Sequence, residues 1–508
     1  MTANEDVRAA RTYHEVTKHS YASVRRPGHR LDWANRPLPY KTYPTLDPIT
    51  LPQDLGPSPT PALAAVMGIP TPLGRSPDLV ALAHILRWSA GILRRVRYDS
   101  EVVAYRAAPC TGALYHVEVY VACADLVDLP GGLYHFDVPE FALRRLRAGD
   151  VRGELAEATA GEGSVAAAPV VLVCTSTFWR NAWKYGARAY RHAFWDTGTM
   201  LANLLAVASA LGLVARVVLG FVDERVHRLL GVDGRREAAV ALVALGASAP
   251  APPAPTVLPL DLPTPPPSRR EVEYPEIVRM QEASCLGRAE EVARWRERDG
   301  LAQTRDAVGS LVPLPAPNPT LAAAPIEEAI RKRRSTRWFS AEPVSFDHLA
   351  AVLHAIGTDL PADFLEPAAA LTTAYLIVNA VGGLPAGTYR YLRGHRVLEA
   401  LRRGDFRAEA GYLALEQSAA AQAAVNIYFM ADVEAVLARL GNRGYRAVQL
   451  EGGIRGGRTY LAAHALGLRA TALTFYDDEV AAFFAPRAPR HSPMFLAVLG
   501  RPARPRSP

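Results

Sequence analysis

One stretch of this chain occurs twice. Lys184–Leu213 reads KYGARAYRHAFWDTGTMLANLLAVASALGL and Arg439–Leu468 reads RLGNRGYRAVQLEGGIRGGRTYLAAHALGL. The two align without a gap and share about a third of their residues, the mark of an internal duplication. Gly186 pairs with Gly441, Arg188 with Arg443, Tyr190 with Tyr445, Arg191 with Arg446 and Gly198 with Gly453. A second pair of segments agrees: Gly131–Asp150 matches Ala386–Asp405. Both copies then close on an apolar run ending in Leu-Gly, at Leu245-Gly246 and Leu499-Gly500. The chain therefore reads as two copies of one domain. A fused pair can replace a homodimer, and a site built between subunits then falls between the halves.

The boundaries follow from composition. The first copy is expected over 1–246. A Pro-rich, then charged, linker follows over 247–319, and the second copy over 320–508. At 508 residues there is room for a core in each copy. Hydrophobic content of 49% with 21% charged residues describes an ordinary globular chain. A net charge of +7 admits an anionic partner or an Arg-rich bias. The arginines are scattered without an aromatic-basic stripe, which argues against nucleic acid. Cys110, Cys123, Cys174 and Cys285 form no CxxC pair and have no His at ligand spacing, so no metal site is expected. The polar N-terminus and the lack of a spanning apolar run predict a cytoplasmic protein with no membrane association.

Within a copy the elements alternate. Tyr115–Cys123 (YHVEVYVAC) has the period of a strand, and Pro169–Cys174 and Val214–Leu219 read as buried strands. Ala142–Leu146 is expected to belong to a short amphipathic helix. Arg191–Leu211 has helical spacing and stops at Gly212. The predicted class is α+β, an antiparallel-rich sheet flanked by helices, with the two domains forming an intramolecular pseudo-dimer.

The second copy opens with Arg333-Arg334-Ser335-Thr336-Arg337, then Trp338-Phe339 and an amphipathic segment. In an extended chain Arg333, Ser335 and Arg337 point to one side. Two guanidiniums and a hydroxyl there make a phosphate cradle, or simply a basic, solvated approach to a helix.

These residues resemble the start of the nitroreductase-like flavoprotein fold, in which Arg-x-Ser-x-Arg holds the phosphate of FMN. The segment Arg106-Ala-Ala-Pro109-Cys110-Thr111-Gly112-Ala-Leu-Tyr115 is similar to the R-x-x-P-S-x-G-A-L-Y segment that lies against the flavin ring from the partner subunit, with Cys110 in place of Ser. The N-terminal YHEVTKHS…LDWANRPLPYKTYP and the run Arg180–Arg191 resemble the SagB/ThcOx branch of FMN-dependent peptide dehydrogenases. The resemblance implies oxidation of azoline rings to azoles in a ribosomally made peptide. The partners it implies are the modified precursor peptide and a cyclodehydratase. It makes Lys184 and Tyr185 the catalytic pair. An adjacent ammonium favours a phenolate, so Lys184 is expected to lower the pKa of Tyr185 and make it a general base.

One composite FMN site is expected, with Arg333, Ser335 and Arg337 from the second copy and Arg106, Pro109, Cys110, Thr111 and Gly112 from the first. Glu451, Gly452 and Gly453 resemble the acidic-glycine segment at the ring edge, and Asp196-Thr197-Gly198 is their weaker counterpart. Arg501, Arg504 and Arg506 are candidates for further phosphate contacts. Pro109 corresponds most nearly to Pro367. The Lys-Tyr pair occurs only in the first copy and the cradle only in the second. Either the pair reaches across the seam, or catalysis has changed, or the first copy holds a flavin through other residues. Two other functions compete: an NAD(P)H-dependent reductase of a small molecule and a flavin-less peptide-binding partner.

Overall fold

The computed structural model describes residues 2–26, 30–69, 76–98, 101–297, 309–485 and 488–503. Each half builds one seven-stranded sheet, and the two share a strand order. The first runs from edge to edge as Pro48–Thr50, Ala142–Ala148, Gly132–Asp137, Val117–Cys123, Val170–Thr177, Glu237–Leu245 and Ala215–Val218. The second runs Leu311–Pro313, Val397–Arg403, Gly387–Leu392, Thr373–Val378, Val425–Asp432, His491–Gly500 and Arg469–Leu473. Neighbouring strands are antiparallel throughout. Central strands such as Val170–Thr177 (VVLVCTST) are β-branched and buried along their whole length, which suits a pleated surface covered on both faces.

The expected helix at Ala142–Leu146 is a strand. Ala142–Ala148 pairs with Gly132–Asp137, and its Ala, Leu and Arg residues favour a helix only in isolation. Cross-strand burial of Leu143 and Leu146 outweighs a preference worth only tenths of a kcal/mol per residue.

Two long helices, Ala189–Ala210 and Asn442–Ala465, lie between the sheets and are buried almost end to end. They cross at Gly198 and Gly453, the pair matched by the repeat. A Cβ on Gly198 would lie 2.7 Å from the Cα and carbonyl carbon of Gly453. Glycine is required there because backbone meets backbone.

The seam is closed by two reciprocal ion clusters. Arg188 and Arg191 of the first half reach Asp477 of the second at 3.0 and 2.7 Å. Arg443 and Arg446 of the second half reach Asp223 of the first at 2.6 and 2.9 Å. All six side chains are buried. Burial pushes each Asp pKa up, but the paired arginines overcome it and hold both at about 2.

These clusters also reveal the repeat where sequence identity has vanished. The arm helix Arg8–Val16 supplies His14 O and Thr17 Oγ1 to Arg191, and His19 N donates to Asp477. The helix Pro275–Ala283, in the stretch expected to be linker, supplies Gln281 O and Ser284 Oγ to Arg446, and Leu286 N donates to Asp223. Each arm thus ties the halves together, holding an arginine of one half and the aspartate of the other. Upstream of it, the Pro-rich run lies along the first half, where Arg152 holds the carbonyls of Ala249 and Pro250 and Arg147 that of Leu258. Among the described residues, no helix is long and apolar enough to cross a membrane.

Candidate active site

The helix Ile326–Lys332 begins with Glu327 and Glu328 and ends with Arg331 and Lys332, in agreement with its dipole. The chain leaves it extended at Arg333 and bridges in parallel to the second sheet, Ser335 beside Ala470. That extension puts Arg333, Ser335 and Arg337 on the wall of one cavity of about 420 Å³. Arg333 is buried and crosses the seam, donating Nε to the carbonyl of Ala107 at 3.1 Å and Nη2 to that of Arg106 at 3.2 Å. Ser335 Oγ lies 3.4 Å from Tyr460 Oη, and Arg334 N donates to His464 Nε2 at 3.2 Å.

The first half supplies the opposite wall, including Arg106, Pro109, Cys110, Gly112 and Lys184. Arg106 donates to the carbonyls of Val117 and Pro39, while its buried Nε has no partner among the described residues. Asp196 anchors the loop between them. Its carboxylate accepts from Thr111 N at 3.0 Å, Thr111 Oγ1 at 2.8 Å and Cys110 Sγ at 3.2 Å, and lies 2.9 Å from His116 Nε2. Gly112 has φ 64°, and a Cβ there would lie 2.7 Å from Tyr185 Oη, so the turn and the close approach both demand glycine.

The cavity therefore gathers Arg94, Arg106, Lys184, Arg333, Arg334 and Arg337, with no carboxylate among its described lining residues. Burial lowers the pKa of Arg106 and Arg333, so both are cations held at a solvation cost and short of counter-charge. An anionic ligand relieves that cost. The residues fit a phosphate-bearing cofactor.

Several expectations change. Thr111 does not line the cavity, because its amide and hydroxyl are spent on Asp196. Glu451, Gly452 and Gly453 lie on the other side of the pseudo-twofold. There Glu451 accepts from Leu371 N and Thr372 Oγ1 and pairs with Arg455, while Gly453 packs on Trp195. Asp196, expected to be the weaker counterpart, is the acid that serves the cavity. Arg501 is away from it, with Nε on the carbonyl of Pro343. Arg504 and Arg506 lie outside the described residues. The strands set the register of the two loops: Cys123 pairs with Val170 and Val378 with Val425, so, counted back along each strand, Pro109 stands opposite Phe364 and Gly112 opposite Pro367.

Lys184 and Tyr185 end the helix Phe178–Tyr185. Lys184 lines the same cavity as Arg333 and Arg337, whereas Tyr185 is not among its lining residues and approaches it only through Gly112. Tyr185 stands edge-on to His192, their ring centroids 4.8 Å apart. Its pKa is raised, not lowered: burial is the main cause, Asp196 and Cys110 add to it, and Arg337 opposes them. Lys184 Nζ is 5.4 Å from the centre of the ring. Arg94 of the hairpin Ile92–Tyr98/Glu101–Arg106 was not anticipated; nothing in its local pattern marks it.

The nitroreductase family model matches residues 78–247 and again 330–500. A crystal structure of a nitroreductase-type protein from Anabaena variabilis superposes with a TM-score of 0.77 at 27% identity, over 97% of this chain and 99% of that one. A protein of Methanocaldococcus jannaschii named for the nitroreductases is 27% identical over 165 residues, 32% of this chain and 78% of its own. The microcin B17-processing protein McbC of Escherichia coli is 28% identical over 146 residues, 28% of this chain and 54% of its own. The match thus spans about half the length of McbC.

Proposed function

The chain belongs to the nitroreductase family, with two such domains in tandem, and from that premise we propose that it is an FMN-dependent dehydrogenase that oxidises azoline rings to azoles in a ribosomally made peptide. The observation that carries the reading is the seam cavity, whose cations come from both halves and whose described lining holds no carboxylate. Similarity to McbC, a processing protein for microcin B17, favours a peptide as the substrate. A precursor peptide and the cyclodehydratase that forms its rings are the partners this reading implies.

Arg333, Ser335 and Arg337 would hold the phosphate of FMN, and Arg106, Pro109, Cys110 and Gly112 would form the bed for its ring. When bound, FMN supplies the acceptor for the hydride that leaves the azoline carbon. The protein's part is to orient the ring and take a proton. Tyr185 would accept the carbon-bound proton at Oη, which lies against Gly112. Burial favours the neutral phenol, so the form that would act is the phenolate fraction, its proton first lost to solvent, which Arg337 favours and which grows as pH rises. Lys184, on the cavity wall, would orient the peptide by hydrogen bonds from Nζ.

The test is anaerobic. The FMN-loaded protein is mixed with an azoline-bearing peptide, and flavin absorbance is followed with the peptide mass. Bleaching in step with loss of two hydrogens from the peptide is expected. Bleaching by NADPH but not by the peptide would overturn the reading in favour of a reductase. Arg333→Ala with Arg337→Ala should abolish FMN retention; full flavin occupancy in that variant would remove the cradle assignment.

A further inference from the structure

The pseudo-twofold that generates the seam cavity generates a second one. It is larger, about 790 Å³, and is also lined by both halves. Its walls come from the end of the helix Ala62–Val66, from Ala202–Ser209 of the first long helix, from Leu213–Arg216, and from Thr358–Ala369 of the second half. These are the repeat mates of the elements round the seam cavity. The helix Ala62–Val66 stands where Ile326–Lys332 stands, since Pro61 bridges antiparallel to Pro325 at the entrance to both.

The mates have changed in one direction. The gapless repeat places Leu205 opposite Tyr460, Ser209 opposite His464 and Ala206 opposite Leu461. Two polar groups beside the cradle have thus become an aliphatic chain and a small hydroxyl, and the wall has receded. The charges have changed too. Four charged residues line this cavity, Arg216, Arg458, Asp359 and Glu366, and their signs cancel. Both cations are already engaged: Arg216 Nε lies 3.1 Å from Glu162 Oε1, and Arg458 donates to the carbonyls of Thr358 at 2.6 Å and Asp359 at 3.1 Å. Burial lowers the pKa of Arg458 as well, but Asp359 and Glu366 stand in the same wall, so an anion gains less here than in the seam cavity, whose described lining holds no carboxylate. The rest of the lining is mostly aliphatic, including Val66, Ala202, Leu213 and Leu365. Ser209 Oγ is buried and has no partner among the described residues. It leaves one hydrogen bond to be satisfied in a wall that is otherwise mostly aliphatic.

We propose that this second cavity binds a neutral, mainly hydrocarbon small molecule carrying one hydrogen-bonding group, and that it no longer binds FMN. Apolar walls, balanced charge and a lone unpaired hydroxyl are the usual composition of such a site. The site does not depend on the reaction assigned to the seam cavity.

The probe is N-phenyl-1-naphthylamine, uncharged and fluorescent in apolar surroundings, titrated into the full-length FMN-loaded protein. Saturable, blue-shifted emission at one equivalent, undisturbed by excess FMN, is expected. Ala206→Phe and Val66→Phe each fill the space from a different wall, and each should weaken the probe by about tenfold or more while flavin absorbance is retained. Retained flavin shows that each variant is folded, and either variant alone suffices. Absence of saturable binding, displacement of the probe by FMN, or unchanged affinity in both filled variants would overturn the proposal.

Discussion

Gly198→Ala tests the seam through the sign of a stability change. In the middle of an exposed helix, replacing glycine by alanine gains about 1 kcal/mol, because alanine loses less backbone freedom. At Gly198 the added Cβ would sit 2.7 Å from three backbone atoms of the facing helix, Gly453 Cα, Gly453 C and Ile454 N. Ordinary contact begins at 3.4 Å, so the helices must part by 0.7 Å, the difference of the two distances. No flexible side chain can absorb this, which puts the overpacking cost toward the top of the usual range of about 1–3 kcal/mol. Net of propensity, a loss of about 1–2 kcal/mol is expected. Gly453→Ala should match it, since its Cβ would meet Trp195 O at 2.6 Å. The assay is urea unfolding followed by tryptophan fluorescence, read as a midpoint shift at constant slope. FMN affinity should fall too, because Asp196 anchors the cavity loop one helical half-turn from the wedge while Arg333 approaches from the other half. Gly467→Ala is the control. It has open space around its Cβ and φ 73°, so it should pay left-handed strain of about 1–2 kcal/mol and leave FMN affinity alone. A Gly198→Ala protein more stable than the parent, with FMN affinity intact, would refute the crossing and the seam built on it.

Three further outcomes follow from the same geometry. Asp223 and Asp477 each have a folded pKa of about 2 against an ordinary 3.8, so each contributes about 2 kcal/mol that is present above pH 4 and lost as pH falls toward 2; acid unfolding should be steep there, and Asp223→Asn should cost about 3–5 kcal/mol and flatten it. Asp196→Ala leaves the Thr111, Cys110 and His116 donors unmet, so fluorescence titration should show FMN binding weakened by about 1–3 kcal/mol. With Tyr185 as base, its raised pKa makes log kcat/KM climb with pH without a plateau below about pH 10; Tyr185→Phe should retain FMN and abolish the climb.

The fold was legible because the duplication is strongest where packing tolerates least change. Gly198 and Gly453 survive at the helix crossing, and Arg188, Arg191, Arg443 and Arg446 survive because each must reach a buried Asp in the opposite half. The arms were not legible as a repeat. Thr17 Oγ1 and Ser284 Oγ do the same work, but the rest of each arm needs only an amphipathic helix, which many sequences provide. The strand at Ala142–Ala148 was misread because its register comes from a neighbour and not from its own composition. At the site, the extended Arg333-Ser335-Arg337 segment could be read from residue spacing, and the structure places all three on the cavity wall. The role of Asp196 could not, since a pseudo-twofold decides which of two equivalent acids serves which cavity. The state of Tyr185 escaped for a different reason: an adjacent lysine in sequence suggests a lowered pKa, while burial, invisible in sequence, dominates and raises it.

On the proposed assignment one half carries a phosphate cradle that the other lacks, a difference that fusion permits. In a homodimer each substitution falls on both sites at once, so a residue can drift only if both sites tolerate it. In a fused chain the mates vary separately. What must be present twice is whatever holds the seam, because the two ion clusters lie on opposite sides of the pseudo-twofold and the loss of either leaves buried charge unpaired. What need be present only once, on the proposed function, is whatever would hold FMN. Both patterns are seen here: reciprocal Arg–Arg–Asp clusters in both halves, beside one cavity lined by cations and one whose charges cancel. The same reasoning predicts how the symmetry can be restored or broken. Removing a cluster should weaken the whole molecule whichever half it comes from, whereas changes in the neutral cavity should leave flavin binding untouched. An Ala206→Phe protein that lost its flavin while staying folded would show that the two cavities have not separated after all.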